Sequence, residues 1–223
     1  MLSFPQAPYA LRDPEQVAAR LKMRDLPHIQ PLLQWLESRK ESLTEQLQTP
    51  EVHLPLFDPL SGGIHTQVLL LLSDPGNRAS AAKGSGFISC DNHDQTARNV
   101  FTALKESELP RGQVMCWNVV PWHKASQEPP TRAEVRIGVR ELQDLLTLLP
   151  ELKVVVLHGG MAQKGWTLLP EEVQARYRVF EVGHPSARNY NIRPQERAKQ
   201  LQVYREVYFL TQYPWLEGTP DPL

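Results

Sequence analysis

Short apolar runs alternate with helical patterns along most of the chain. The four runs span residues 67–73, 114–119, 152–158 and 177–182, and each has the length and apolar character of a buried strand. Helical patterns cover residues 96–105, 132–149, 161–176 and 194–208. Because strands that alternate with helices form βαβ units, the pattern predicts an α/β fold: three α/β/α layers around a central four-stranded, mainly parallel sheet.

Helical patterns also precede the first apolar run. Pro14 suits the first turn of a helix, and apolar positions then recur at helical spacing to about residue 48. Residues 49–63 hold three prolines and a Gly-Gly pair, which is typical of an irregular connector. We therefore expect a helical N-terminal extension and Pro-rich connector packed on the core (1–63), an α/β domain (64–210) and a loosely ordered tail (211–223). Pro170 should break or kink the helix that contains it.

The composition is that of an ordinary globular protein, with 41% apolar and 22% charged residues. A net charge of −1 gives no overall attraction to nucleic acid, so any DNA contact must come from a local basic patch. Residues 183–205 form a candidate patch with five basic residues and one acidic residue. A solvated helix face is the alternative explanation for such a cluster.

The sequence gives no support to cofactor, metal or membrane functions. Cys90 and Cys116 are too few for a disulfide framework or a four-cysteine iron–sulfur cluster, and the seven histidines lack metal-ligand spacing. The longest apolar run, 68–72, is too short to cross a bilayer, and the N-terminal residues do not resemble a signal peptide. We expect a cytoplasmic monomer without metal or cofactor.

Polar residues follow three of the four predicted strands. Asp74 comes after the first strand, Asn118 ends the second and His184 comes after the fourth. Ligands of an open parallel sheet bind outside the carboxyl ends of its strands, so these three residues are expected to form one site.

Two segments near the first strand could contribute to this site. Asp74-Pro75-Gly76 is a common turn sequence, but a carboxylate there could also orient water and stabilise a developing cation. Phe87 follows two glycines and lies 13 residues after Asp74. It is either a core aromatic residue or a flat surface on which a base could stack.

The later segments add recognition and charge. The amide of Asn118 offers a donor and an acceptor side by side, which complements the N–H and carbonyl on the edge of uracil and mismatches cytosine; a bond to a neighbouring loop is the alternative. His184 is either a structural turn residue or a donor to a leaving group. Arg188 is either a surface arginine or a side chain that fills the gap left by an extruded nucleotide or binds phosphate.

Together these residues resemble the uracil-DNA glycosylase superfamily. Asp74-Pro75 matches its first motif, Phe87 its stacking residue and Asn118 its pyrimidine-recognising asparagine. His184-Pro185-Ser186 matches its last motif, and Arg188 lies where that loop supplies a wedge residue. The resemblance spans about residues 64–208 and is stronger still to an uncharacterised bacterial group of uracil-DNA glycosylase-like proteins. It implies a monofunctional hydrolase that flips a base out of DNA and cleaves its glycosidic bond, with Ser186, Arg188 and Asn189 on the DNA.

Two departures from the known branches affect the expected substrate. Gly76 stands where the classical branch has a tyrosine that blocks the methyl group of thymine. Together with His184-Pro185-Ser186-Ala187-Arg188-Asn189, Gly76 resembles the single-strand-selective branch, which has Asn where this chain has Asp74. The resemblance therefore implies a substrate range wider than uracil, among related damaged pyrimidines in single- or double-stranded DNA.

Two other functions remain open from the sequence. A non-catalytic protein that binds damaged DNA or nucleotides could use the same fold, although such a protein would not need both Asp74 and His184. An unrelated α/β enzyme that acts on a small nucleotide is the third possibility, and it would prefer free nucleosides to oligonucleotides.

Overall fold

A parallel sheet of four strands forms the centre of the computed structural model, which describes residues 4–126 and 128–213. The strands in chain order are β1 (Leu56–Phe57), β2 (Val68–Leu72), β3 (Phe87–Ile88), β4 (Val114–Asn118), β5 (Val154–His158) and β6 (Arg178–Val182). The central sheet has the order β4-β2-β5-β6, and every pair is parallel. This arrangement confirms the predicted fold class. A separate parallel pair, β1 with β3, was not predicted, because two-residue strands carry no periodic pattern.

The helices of the described residues flank this sheet. They are α1 (Pro14–Leu21), α2 (Gln30–Leu47), α3 (Gln95–Glu106), α4 (Arg132–Leu146), α5 (Gly160–Trp166), α6 (Glu171–Gln174), α7 (Ala187–Ile192) and α8 (Gln195–Gln212). Side chains fix several of their starts: Asp94 caps α3, and Thr131 with Glu134 forms a capping box on α4. Pro170 separates α5 from α6, as predicted. The short helix α7 was not predicted.

Alternating side chains of β2 supply both faces of the sheet. Leu69 and Leu71 belong to one apolar cluster together with residues of α2, α4 and α5. Val68 and Leu70 belong to a second cluster together with residues of α3 and α8. Successive residues of a strand point to opposite faces, so this five-residue apolar strand is buried on both sides. The three-layer α/β/α architecture follows directly from that pattern.

The N-terminal extension is part of the same core. Trp35 on α2 packs near Trp117 of β4, and the Phe57 ring stacks on Trp117 with centroids 4.0 Å apart. Helix α1 is held differently, by Arg20, whose side chain is only 2% exposed. The Arg20 Nε atom lies 2.9 Å from Asp58 Oδ1, and its Nη2 atom contacts Asp91 Oδ2.

The predicted boundary at residue 210 falls inside α8, which continues to Gln212. Most of the predicted loose tail, residues 214–223, lies outside the described residues. In the part of the chain that the structure describes, every helix lacks the combination of length and apolarity that a bilayer span requires.

Candidate active site

The carboxyl ends of the central strands surround a cavity of about 500 Å³. Its lining includes Asp74, Gly76, Asn118 and His184. The sheet register explains why these residues meet. Leu72, two residues before Asp74, pairs with Asn118 of β4. On the other side of β2, β5 pairs with β6, which ends two residues before His184. The sequence prediction that these residues lie together is thus matched by the structure, whereas the role of each one stays a prediction.

Asp74 is held in a loop that is tied to the end of β4. The backbone N–H of Val119 donates to Leu72 O at 2.9 Å, and that of Val120 donates to Ser73 O at 3.0 Å. The Ser73 hydroxyl donates to Asp74 Oδ1. No described residue donates a hydrogen bond to Asp74 Oδ2, so this oxygen is available to a water molecule or a cationic group at the cavity.

Asn118 presents an unpartnered amide to the cavity. The residue is only 4% exposed, yet none of the described side chains or backbone groups forms a hydrogen bond with its side chain. Buried amides nearly always find partners, because a lost hydrogen bond in a buried position costs about 1–3 kcal/mol. The amide of Asn118 is therefore suited to a ligand that brings its own donor and acceptor.

Several contacts fix the loop that carries His184. The Asn99 amide donates to Pro185 O at 2.7 Å, and the Asn189 amide donates to His184 O at 3.0 Å. Gly159 packs directly beneath the loop: a Cβ atom built on it would lie 2.9 Å from His184 Cβ. Burial lowers the pKa of His184, and the charges of Asp74 and Asp94 oppose this shift only in part. The imidazole is therefore neutral at neutral pH and can donate a hydrogen bond without carrying a charge.

The three residues predicted to bind DNA have different surroundings. The Ser186 hydroxyl accepts a hydrogen bond from Asn189 N at 3.2 Å and caps α7, while the Asn189 amide holds the His184 carbonyl. Both polar groups are thus engaged within the loop. Arg188 is exposed on α7 and forms no ion pair with any described residue. Of the three, it is the side chain most accessible to a ligand.

The position of Phe87 differs from the prediction. Its side chain is 0% exposed and does not line the cavity, whereas the neighbouring Ile88 does. The two residues form β3, and adjacent side chains on a strand point to opposite sides. The backbone carbonyl of Phe87 accepts a hydrogen bond from Asn92 Nδ2 at 2.8 Å, which fixes this wall of the cavity. In this structure a base in the cavity would meet Ile88 rather than the ring of Phe87.

Sequence reasoning missed other residues of the cavity. Asp94 lines it while its Oδ1 accepts a hydrogen bond from Ala97 N at 2.9 Å; an acidic residue before a helical pattern was the available signal. Arg78, in the loop after β2, also lines the cavity.

Cys90 and Cys116 contribute thiols to the cavity. Burial raises the pKa values of both thiols, that of Cys116 to about 12. Both thiols are therefore protonated and unreactive at neutral pH. Among the described residues, no group of three or more His, Cys, Asp or Glu side chains could hold a metal ion.

The cavity lies within a segment that matches a known family. Residues 59–207 match the family model of the Uracil DNA glycosylase superfamily. This chain belongs to that superfamily. Asp74, Asn118 and His184 all fall inside the matched segment, whereas α1 and α2 precede it.

Two solved structures of the superfamily resemble this chain at low sequence identity. SMUG2 from Pedobacter heparinus shares 16% identity with a TM-score of 0.41, over 70% of this chain and 77% of that protein. Mimivirus uracil-DNA glycosylase shares 15% identity with a TM-score of 0.45, over 83% of this chain and 78% of that protein. No curated protein matches the chain.

Proposed function

We propose that this protein removes uracil or a related damaged pyrimidine from DNA by hydrolysing its N-glycosidic bond after the nucleotide is flipped out of the stack. The observation that carries the proposal is the meeting of Asp74, Asn118 and His184 around one cavity inside the superfamily segment. Extruding the nucleotide costs a few kcal/mol, and less where the base is mismatched or the DNA is single-stranded.

Asn118 is the base-recognising residue of the proposal. Its carbonyl oxygen accepts the N3–H of uracil, and its NH₂ group donates to O4. Cytosine has an acceptor at N3 and a donor at C4, so the same amide would face two mismatched groups. Because Asn118 is buried and has no partner among the described residues, a mismatched base would leave it unsatisfied.

Asp74 and His184 carry the chemistry. The bond between C1′ and the base nitrogen breaks, its electron pair leaves with the base, and positive charge develops on the sugar. The Asp74 carboxylate stabilises that charge and orients a water molecule, whose oxygen attacks C1′ and whose proton passes to the carboxylate. Neutral His184 donates a hydrogen bond to O2 of the departing pyrimidine anion. These groups complete the hydrolysis, so the proposed reaction includes no metal or cofactor. We further propose that the protein is a monomer in the cytoplasm.

The space around Gly76 favours a broad pyrimidine range. A Cβ atom built on Gly76 meets nothing within 4 Å, and the residue lines the cavity. A substituent at C5 of the base would thus not meet a side chain from this position. We include 5-substituted uracils in the proposed substrate class for this reason.

The proposal is tested with single- and double-stranded oligonucleotides that contain uracil, hydroxymethyluracil, hypoxanthine or mismatched thymine, scored for alkali-labile abasic sites. Asp74→Asn should lower the single-turnover rate roughly 10²–10⁴-fold, and His184→Ala on the order of 10²–10³-fold. Asp144→Asn, on the exposed side of α4, is the matched control and should leave the rate unchanged. If no base were released from any of these substrates, the proposed glycosylase activity would be refuted. Tight binding to uracil-containing DNA without release of the base would favour a non-catalytic DNA-binding protein.

A further inference from the structure

A second cavity, of about 470 Å³, lies beside the first. The N-terminal extension forms one wall of it through Leu11, Arg12, Pro14 and Val17. The other wall comes from the loop after β2 and from His93, and Arg78 lines both this cavity and the catalytic one. We call this second cavity the basic groove. The shared residue, Arg78, places the basic groove next to the cavity where the flipped base is proposed to bind.

The basic groove is positively charged in a protein whose net charge is −1. Arg12, Arg78, Lys83 and His93 line it, and none of its described lining residues is acidic. Arg12 and Lys83 are exposed, and neither forms an ion pair with a described residue. Asp13 lies next to Arg12 but uses its carboxylate to accept a hydrogen bond from Glu15 N at 2.9 Å. Free cations lining an open groove are the usual arrangement for binding phosphates.

Both walls of the basic groove are fixed in place. On the extension side, Arg20 anchors α1 to Asp58 and Asp91, and Leu11 N donates to Asp91 O at 3.0 Å. A buried arginine between two carboxylates is costly to desolvate, so its clearest benefit is to hold the helix in one position.

On the loop side, the backbone folds back on itself. Ser85 N donates to Arg78 O at 3.0 Å, and Arg78 Nη1 donates to Lys83 O at 3.2 Å. Gly84 packs so closely on Arg78 that a Cβ atom would lie 2.1 Å from Arg78 O. Contacts within the chain therefore hold both of the walls that carry the cations.

We propose that the basic groove binds the backbone phosphates of the DNA strand that adjoins the flipped nucleotide, which makes the N-terminal extension a part of the DNA-binding surface. This inference rests on the proposed function, because that function is what makes DNA the ligand. Its distinctive residue, Arg12, lies outside the matched segment 59–207, so the family match assigns nothing to it. An extended chain of phosphates suits the groove better than a single anion, because its cations are spread over both walls and one of them, Arg78, also lines the catalytic cavity.

The test measures binding of a 20-nucleotide single strand that contains no damaged base, by fluorescence anisotropy between 50 and 300 mM salt. The variant Arg12→Gln/Lys83→Gln removes two cations of the basic groove without touching the catalytic cavity. Arg136→Gln/Lys153→Gln is the matched control, since it removes the same charge from exposed positions on α4 and at the amino end of β5. Each lost phosphate contact should reduce the magnitude of the slope of log K against log salt by about 0.7. The slope of the groove variant should therefore be smaller in magnitude by about 1.4, and its affinity at low salt should fall roughly tenfold or more.

The control variant should retain the slope of the unmodified protein, and both variants should keep its thermal midpoint. Equal slopes for the groove variant and the control would overturn the inference, even if the protein excises bases. A reduced slope for the groove variant alone would support it, even if no base is ever released. The two proposals therefore fail separately.

Discussion

A single methyl group added at Gly159 tests how His184 is positioned. Gly159 has a φ of +87°, and a Cβ atom built there would lie 2.9 Å from His184 Cβ and 3.3 Å from His184 N. The next residue, Gly160, begins α5, and a Cβ atom built on it meets nothing within 4 Å. Gly159→Ala and Gly160→Ala thus add the same atom one residue apart, but only the first should displace the His184 loop.

Two costs add up for Gly159→Ala. The backbone conformation at φ +87° and ψ 167° is nearly exclusive to glycine and costs other residues about 1–3 kcal/mol. Crowding against the His184 backbone adds about 1–3 kcal/mol. We expect the free energy of unfolding of Gly159→Ala to fall by about 2–6 kcal/mol, whereas Gly160→Ala should leave it unchanged or raise it by up to about 1 kcal/mol. A shift of His184 by about 1 Å should lower the excision rate by about 10²-fold.

Urea denaturation and single-turnover excision from a uracil-containing oligonucleotide measure the two effects separately. Gly159→Ala should lose both stability and rate, and Gly160→Ala should lose neither. If Gly159→Ala lost stability but excised uracil at the full rate, Gly159 would not position His184. Equal losses in the two variants would show that the contact between Gly159 and the loop is not what limits substitution here.

Three further predictions concern the substrate, the acid range and the extension. Gly76→Tyr should fold normally, since a Cβ atom there meets open space, and should lower the excision of hydroxymethyluracil relative to uracil when the two substrates compete in one reaction. Burial lowers the pKa of His158 to about 3 from its ordinary value of 6.5. Between these two values the unfolded chain binds more protons at this residue than the folded chain does, so the free energy of unfolding declines as the pH falls from 6.5 toward 3. Denaturation at pH 7 and pH 4 should therefore show that His158→Asn loses about 3 kcal/mol less over this interval than the unmodified protein. Arg20→Ala should lower the free energy of unfolding at pH 7 by about 3–5 kcal/mol, because Asp58 loses its buried arginine and Asp91 keeps only Arg111; a loss below 1 kcal/mol by urea denaturation would contradict this.

The sequence predicts the central sheet well because each of its strands carries its own signal. β2 is a five-residue apolar run, and burial on both faces requires this composition whatever surrounds it. The grouping of Asp74, Asn118 and His184 follows from the same signal, since parallel strands bring their carboxyl ends to one edge. These predictions need only local patterns and a general rule of topology.

Other features depend on contacts that no local pattern contains. Phe87 and Ile88 are both apolar, so only the orientation of β3 decides which of them lines the cavity. The family resemblance implies that Asn189 contacts DNA, but in the structure its amide donates to the His184 carbonyl, a contact that no local pattern reveals. Arg20 shows no sign of burial in a helix of mixed polarity, and its partners lie 38 and 71 residues away.

The buried Arg20 also separates two meanings of the word domain in this protein. The segment that matches the superfamily model begins at residue 59; Asp58 lies one residue before it, and Asp91 lies inside it. A chain shortened to the matched segment would lose Arg20, the buried partner of Asp58 and one of the two arginines paired with Asp91, and the Trp35 ring near Trp117. The segment that matches the family model is thus smaller than the unit that packs together, since α1 and α2 share buried contacts with it.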